Sequence, residues 1–297
     1  AIDQLIHFDK DHMDHRGLPP PGFITDDVER QQLVENVCRE LDGVEFKISL
    51  DRKCNTTLEK LLLECSADRI GKFIAGLDAQ REQSPDDQRV GLPFLRLACS
   101  VYGSRVLESV FSRLLSIYAH ADDKKSDHTV YHHFSSEVSI DVVSKCIIAA
   151  CQELQNSIGW GELFFHTHGS CVLRSLLCLL TGVRVFLPGR RTKRRKFGRK
   201  KQSVRSNSIL DSIAPNHDEK KKEKPLYTNN AFLDVVYSIW EHLWQANDDD
   251  FAQLCFDKIA SPTFQVLLGV SFGTKRLPMP ALELVDRIFS LSSSSSL

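Results

Sequence analysis

One helical pattern of a few residues occurs four times in this chain, and that recurrence limits the fold more than any other feature. Its longest copy is His168-Gly-Ser-Cys-Val-Leu-Arg-Ser-Leu-Leu-Cys-Leu-Leu-Thr-Gly182. Ser170 and Arg174 are four apart and share one helical face, while Val172, Leu173, Leu176, Leu177, Leu179 and Leu180 cover the others. Such a pattern predicts a buried helix, and Gly182 stands where a left-handed C-cap ends one. The same order of small, polar, any, two apolar, polar and apolar residues recurs at Tyr102 to Phe111, at Cys54 to Leu62 and at Ala260 to Leu268. The aligned polar pairs are Asn55/Glu59, Ser104/Glu108, Ser170/Arg174 and Ser261/Gln265, and the residues after the first member are Thr56, Arg105, Cys171 and Pro262. A helical unit repeated in this way predicts an all-α solenoid, in which each unit buries its apolar faces against its neighbours.

Between the copies lie further helical patterns. Asp26 or Asp27 can cap a helix over 28–41 (Leu33, Val34, Val37, Leu41), which Gly43 ends. Residues 44–51 read as a short connection, so that each unit is expected to be a helix–turn–helix. Helical periodicity resumes over 67–77, 138–154, 231–244 and 282–289. Polar insertions interrupt the array at 78–89 and at about 120–136, and each lengthens the distance between successive cores. Composition divides the chain into a lead-in at 1–24, repeats over 25–187, a basic insertion over 188–225, further repeats over 226–290 and a serine-rich tail at 291–297. The insertion has almost nothing apolar to bury and is expected to be disordered. An apolar helix that runs straight into serines, with no polar cap on the array, predicts one part of a longer protein.

The 297 residues suffice for a large core or a continuous stack of repeats. No apolar run is long enough to cross a bilayer, so no membrane partner is expected. Nine cysteines without a Cys-x-x-Cys pair, several of them (Cys99, Cys178, Cys255) among apolar neighbours, predict reduced thiols of an intracellular protein. The pairs His12/His15 and His166/His168 lack further ligands, so no metal and no cofactor is expected. There is no phosphate loop, no Gly-x-Ser-x-Gly elbow and no acid pair beside a nucleophile, so the chain is not expected to be an enzyme. The net charge of −1 hides one strongly basic run, made of Arg190, Arg191, Lys193, Arg194, Arg195, Lys196, Arg199, Lys200 and Lys201. That run reads as a nuclear and nucleolar address or as a phosphate contact, with a solvated tail as the plain alternative.

The four core helices resemble Pumilio (PUF) repeats, in particular the branch of nucleolar protein nine and the plant Pumilio-23-like proteins. The residues 168–183 carry the likeness most specifically, followed by Ser261-Pro-Thr-Phe-Gln-Val-Leu-Leu268 and by a basic insertion between these two repeats. The resemblance covers about residues 28–289. It implies a right-handed, armadillo-like superhelix and binding of pre-ribosomal RNA, in the company of pre-ribosomal particle proteins, during small-subunit maturation in the nucleolus. It also implies that this chain is the N-terminal part of a longer array.

In such repeats the two polar side chains touch a base edge and the residue after the first stacks between neighbouring bases. The resemblance thus assigns Asn55, Glu59, Ser104, Glu108, Ser170, Arg174, Ser261 and Gln265 to base edges, and Thr56, Arg105 and Cys171 to stacking. An ionised Glu108 only accepts hydrogen bonds, which suits the donor edge of guanine, whereas Gln265 can both donate and accept. By the family's code Ser104/Glu108 favours guanine, Ser170/Arg174 is an uncommon pair that tolerates cytosine, and Asn55/Glu59 stays ambiguous. Arg105 alone among the stacking positions offers a planar cation. The competing reading is a HEAT- or armadillo-like scaffold that binds protein; it shares the helix pairs but gives no reason to repeat the polar pattern.

Overall fold

The computed structural model describes residues 27–79, 93–122, 137–157, 160–183, 227, 229–274 and 278–294. Among them every regular element is a helix. The first repeat consists of α1 (Asp27–Glu40), α2 (Glu45–Leu50) and α3 (Asn55–Glu64), and the second of α4 (Ala67–Ala79), α5 (Pro93–Ala98) and α6 (Gly103–Asp122). The third comprises α7 (Glu137–Ser157), α8 (Gly161–Phe165) and α9 (Gly169–Thr181), and the fourth α10 (Asn230–Gln245), α11 (Asp248–Phe256) and α12 (Ala260–Gly273). A last helix, α13 (Pro278–Ser294), packs on α11 and α12 and takes in the first serines of the terminal tract.

Each repeat therefore has three helices, and the expected helix–turn–helix unit is corrected. The stretch read as a connection, 44–51, contains α2, and α5, α8 and α11 occupy the matching place in the other repeats. A helix of five or six residues spans fewer than two turns, too few for a hydrophobic period to show.

The four helices with the repeated pattern, α3, α6, α9 and α12, pack side by side in one row, while α4, α7 and α10 form a second row behind them. The two rows enclose one continuous core. Leu107, Val110 and Leu114 on α6 and Val172, Leu173, Leu177 and Leu179 on α9 are fully buried. Polar ties hold successive repeats in register. Arg113 Nε on α6 donates to Cys65 O at the end of α3 (2.9 Å), Thr263 Oγ1 on α12 donates to Ser170 O on α9 (3.2 Å), and the Tyr227 hydroxyl donates to Leu179 O. The predicted helix ends at Gly43 and Gly182 both hold positive φ (87° and 67°), the left-handed geometry that glycine adopts without strain.

All nine cysteines are free thiols, and Cys99, Cys178 and Cys255 pack against the core. No helix among the described residues is long and apolar enough to cross a membrane. The lead-in at 1–24, most of the 78–89 insertion, most of the 120–136 insertion with His132 and His133, and the basic run from Arg190 to Lys201 lie outside the described residues.

Candidate nucleic-acid interface

The four inner helices, α3, α6, α9 and α12, begin in the same way, down to single atoms. Four residues before the first polar position of each repeat, one side chain accepts two backbone N–H groups of the turn into the helix. Asp51 Oδ1 takes those of Lys53 and Cys54 (2.7 and 3.0 Å), and Ser100 Oγ those of Tyr102 and Gly103 (3.3 Å each). His166 Nδ1 takes those of His168 and Gly169 (3.2 and 3.1 Å), and Asp257 Oδ1 those of Ile259 and Ala260 (2.7 and 2.8 Å). The carbonyl of that same residue then accepts from the N–H of Asn55, Ser104, Ser170 and Ser261 respectively. Helix starts leave backbone donors unpaired, and this device supplies their acceptors. The polar pairs aligned by sequence are thus in structural register.

The members of each pair have different surroundings. Asn55, Ser104 and Ser170 are buried, while Ser261 is half-buried. Ser104 Oγ donates to Val101 O and Ser170 Oγ to Thr167 O, so both hydroxyls turn back on the preceding turn. Asn55 Nδ2 donates to Glu59 Oε1 at 3.0 Å. The second members are more open: Glu59, Glu108 and Arg174 are half-buried and Gln265 is exposed. Of the stacking positions, Thr56 and Arg105 are exposed and Cys171 and Pro262 half-buried. Arg174 Nη2 rests on Cys171 Sγ at 2.9 Å, within one repeat.

Packing of the inner helices opens a groove of about 580 Å³. Glu59 and Leu63 of α3, Ser104, Arg105 and Glu108 of α6, and His168 and Cys171 at α9 line it. Three consecutive repeats thus contribute to one surface, and Ser104 forms part of its floor. Across the first repeat boundary Arg105 Nε meets Glu59 Oε1 at 3.3 Å. This ion pair, the exposed apolar side chains of Leu63 and Val101 on the groove wall, and the four acceptors that start the inner helices were not foreseen from sequence. Among the described residues no group of three His, Cys, Asp or Glu is placed to hold a metal ion.

Helix triplets stacked with their third helices in one row, and a groove along that row, define a PUF-type α-solenoid. Residues 43–296 match the family model described as the NOP9-like PUF repeat domain, and the chain belongs to that family. Among curated proteins it is 21% identical to Nucleolar protein 9 of Candida glabrata over 82% of this chain and 35% of that protein. To Nucleolar protein 9 of Komagataella phaffii it is 27% identical over 81% of this chain and 34% of the relative. Among solved structures, that of APUM23 with GGAUUUGACGG superposes with a TM-score of 0.55 at 20% identity, over 90% of this chain and 40% of APUM23. The chain spans about a third of the length of the curated relatives it matches.

Proposed function

We propose that the groove along the inner helices binds single-stranded RNA, and that the chain serves small-subunit pre-rRNA maturation in the nucleolus alongside pre-ribosomal particle proteins. The observation that carries this reading is the groove itself, in which charged and polar side chains of three consecutive repeats stand in one register. The names of the relatives and the GGAUUUGACGG bound by APUM23 support it.

On this reading the second member of each pair, Glu59, Glu108, Arg174 and Gln265, meets a base edge. Glu108 accepts from the donor edge of guanine, and Gln265 suits adenine or uracil. The buried first members Asn55, Ser104 and Ser170 shape the floor against which the base rests, and Ser261, more open, can reach an edge. Thr56, Arg105 and Cys171 are the candidates beside the base faces. The basic run at 190–201 follows α9 in the chain and supplies phosphate contacts or a nucleolar address.

The test is binding of the purified chain to pre-rRNA segments across a salt series. Glu108→Ala should weaken binding to segments with guanine at one position about tenfold, as expected for one hydrogen bond to a charged group. Deleting 190–201 should instead flatten the salt dependence for all segments alike. RNA binding that neither change affects, or no RNA binding at all, would make the protein-binding scaffold the better account.

A further inference from the structure

The family resemblance assigns Arg105 to a base face, but its surroundings indicate another task. Its Nε is engaged by Glu59 Oε1 from the neighbouring repeat, and the same oxygen accepts from Asn55 Nδ2 at 3.0 Å. Glu59 is well enclosed, with 16% of its side chain exposed, against 59% for Arg105. Asn55, itself buried, therefore fixes the carboxylate, and the carboxylate orients the guanidinium. Among the described residues neither Glu59 Oε2 nor the two Nη atoms of Arg105 have a hydrogen-bond partner. The groove thus presents a free acceptor beside free donors, all held from one anchoring point.

We propose that Glu59 and Arg105 form one guanine-reading subsite across the boundary between the first and second repeats, with Arg105 donating to O6 while Glu59 accepts from N1–H and N2–H. Guanine presents an acceptor followed by two donors along its Watson–Crick edge, and the pair answers with donors followed by a carboxylate. Uracil offers one acceptor and one donor to the same groups, and adenine and cytosine offer theirs in the opposite order. A carboxylate has about four lone-pair sites, so Oε1 can keep Asn55 and Arg105 while Oε2 takes the base. A guanidinium that meets the carboxylate through Nε keeps its Nη1 donors and one Nη2 N–H for an acceptor in the same plane, so O6 can be bound without breaking the ion pair. This assignment resolves the ambiguity of the Asn55/Glu59 pair and rests on the groove's binding RNA.

The test uses the full chain, fluorescence anisotropy and the RNA GGAUUUGACGG, with each guanine replaced in turn by inosine, which lacks N2–H, or by 2-aminopurine, which lacks O6 and N1–H. At one position wild-type protein should bind guanine about a hundredfold more tightly than 2-aminopurine, which loses two charged hydrogen bonds at about tenfold each, with inosine between them. Arg105→Ala should lose about tenfold for guanine and for inosine there, and nothing further for 2-aminopurine. Glu59→Gln should lose affinity for guanine at that same position and no other. An equal loss by Arg105→Ala for all three bases would show a stacking role and overturn the proposal while RNA binding stands. Wild-type binding without base preference at any guanine would overturn it likewise. No binding of any of these RNAs by wild-type protein would overturn the RNA-binding reading with it. Arg105 is exposed, so its replacement leaves the fold intact, which circular dichroism verifies.

Discussion

The same substitution at two equivalent positions should have unequal consequences. Gly103 and Gly169 each stand just before the polar pair of their repeat, where the inner helix crosses the short helix before it. A Cβ on Gly103 would lie 2.7 Å from Leu97 O and 2.9 Å from Leu97 Cα, which is backbone and cannot rotate away. A Cβ on Gly169 would meet Leu163 Cδ2 at 3.0 Å, the end of a side chain that can rotate away, and His166 Cβ at 3.2 Å, an overlap of only a few tenths of an ångström. The fourth repeat already carries Ala260 at this place, fully buried. Overpacking against backbone costs about 1–3 kcal/mol, while Gly→Ala in a helix returns at most about 1 kcal/mol. Gly103→Ala should therefore destabilise α6 by roughly 1–2 kcal/mol, and Gly169→Ala should change α9 by less than about 0.5 kcal/mol. A repeat array opens locally, so a single melting temperature would blur the comparison. Amide hydrogen exchange resolves it: α6 amides in Gly103→Ala should exchange about 5–30 times faster, with α9 unchanged in Gly169→Ala. Equal acceleration in the two variants, or a larger effect at Gly169, would refute the distinction between backbone and side-chain obstruction.

Other consequences follow from the polar ties. Arg69 on α4 is buried and reaches Glu35 at 2.7 Å and Asp42 at 3.1 Å, so it fastens the second repeat to the first. Arg69→Met should keep the packing of the stem but lose these charged hydrogen bonds, costing about 1–3 kcal/mol, seen as faster exchange in α1 and α3 with α12 unaffected. His166 accepts two backbone N–H groups through Nδ1 and must be unprotonated to do so. Burial, then the neighbouring His168, holds its pKa below the ordinary 6.5, with Glu162 opposing. A base with a depressed folded-state pKa contributes stability above 6.5 that is lost as pH falls through the folded value. His166→Asp restores the acceptor used in the first and fourth repeats, and should remove that component of the pH dependence of α9 exchange between neutral pH and pH 5. Cys38 lies 3.4 Å from Cys65, whose thiol hydrogen bond holds its pKa below the ordinary thiol value, helped by Arg69 against the effect of burial. Burial pushes Cys99 up and Cys255 to about 11. Alkylation at pH 8 followed by mass spectrometry should therefore find Cys38 modified before Cys99 and Cys255, and Arg69→Met should slow it.

The long helices were legible because burial writes a period into sequence. Leu173, Leu176, Leu177 and Leu180 recur as one face of α9 must, and the end at Gly182 follows from φ alone. The short helices left no such trace, since α2 and α5 hold six residues and α8 five. The shared helix start was hidden for a different reason. Its acceptor is Asp in two repeats, Ser in another and His in the third, so what recurs is a lone pair at a fixed place and not a residue type. The pairing of Glu59 with Arg105 depends on how α3 lies against α6, and no spacing along the chain encodes it.

The same comparison explains why the two members of each polar pair differ in role. A side chain at the very start of an inner helix faces the turn that precedes it, where carbonyls such as Val101 O and Thr167 O stand open. A short hydroxyl there satisfies itself locally and can be buried, which is why Ser104 and Ser170 are. One turn later that turn is out of reach, and a polar side chain turns to another side chain of its own helix, to the next repeat or to a ligand. Glu59 finds Arg105 of the next repeat, whereas Gln265 stays exposed. Sequence alignment weights the two positions equally because both are polar. Packing separates them, so truncation of a first member should alter the helix start it belongs to, and truncation of a second should alter what the groove accepts. Ser170→Ala against Arg174→Ala, read by hydrogen exchange of α9 and by RNA binding in parallel, would show the two effects apart. Loss of binding from Ser170→Ala with exchange of α9 unchanged would refute this division.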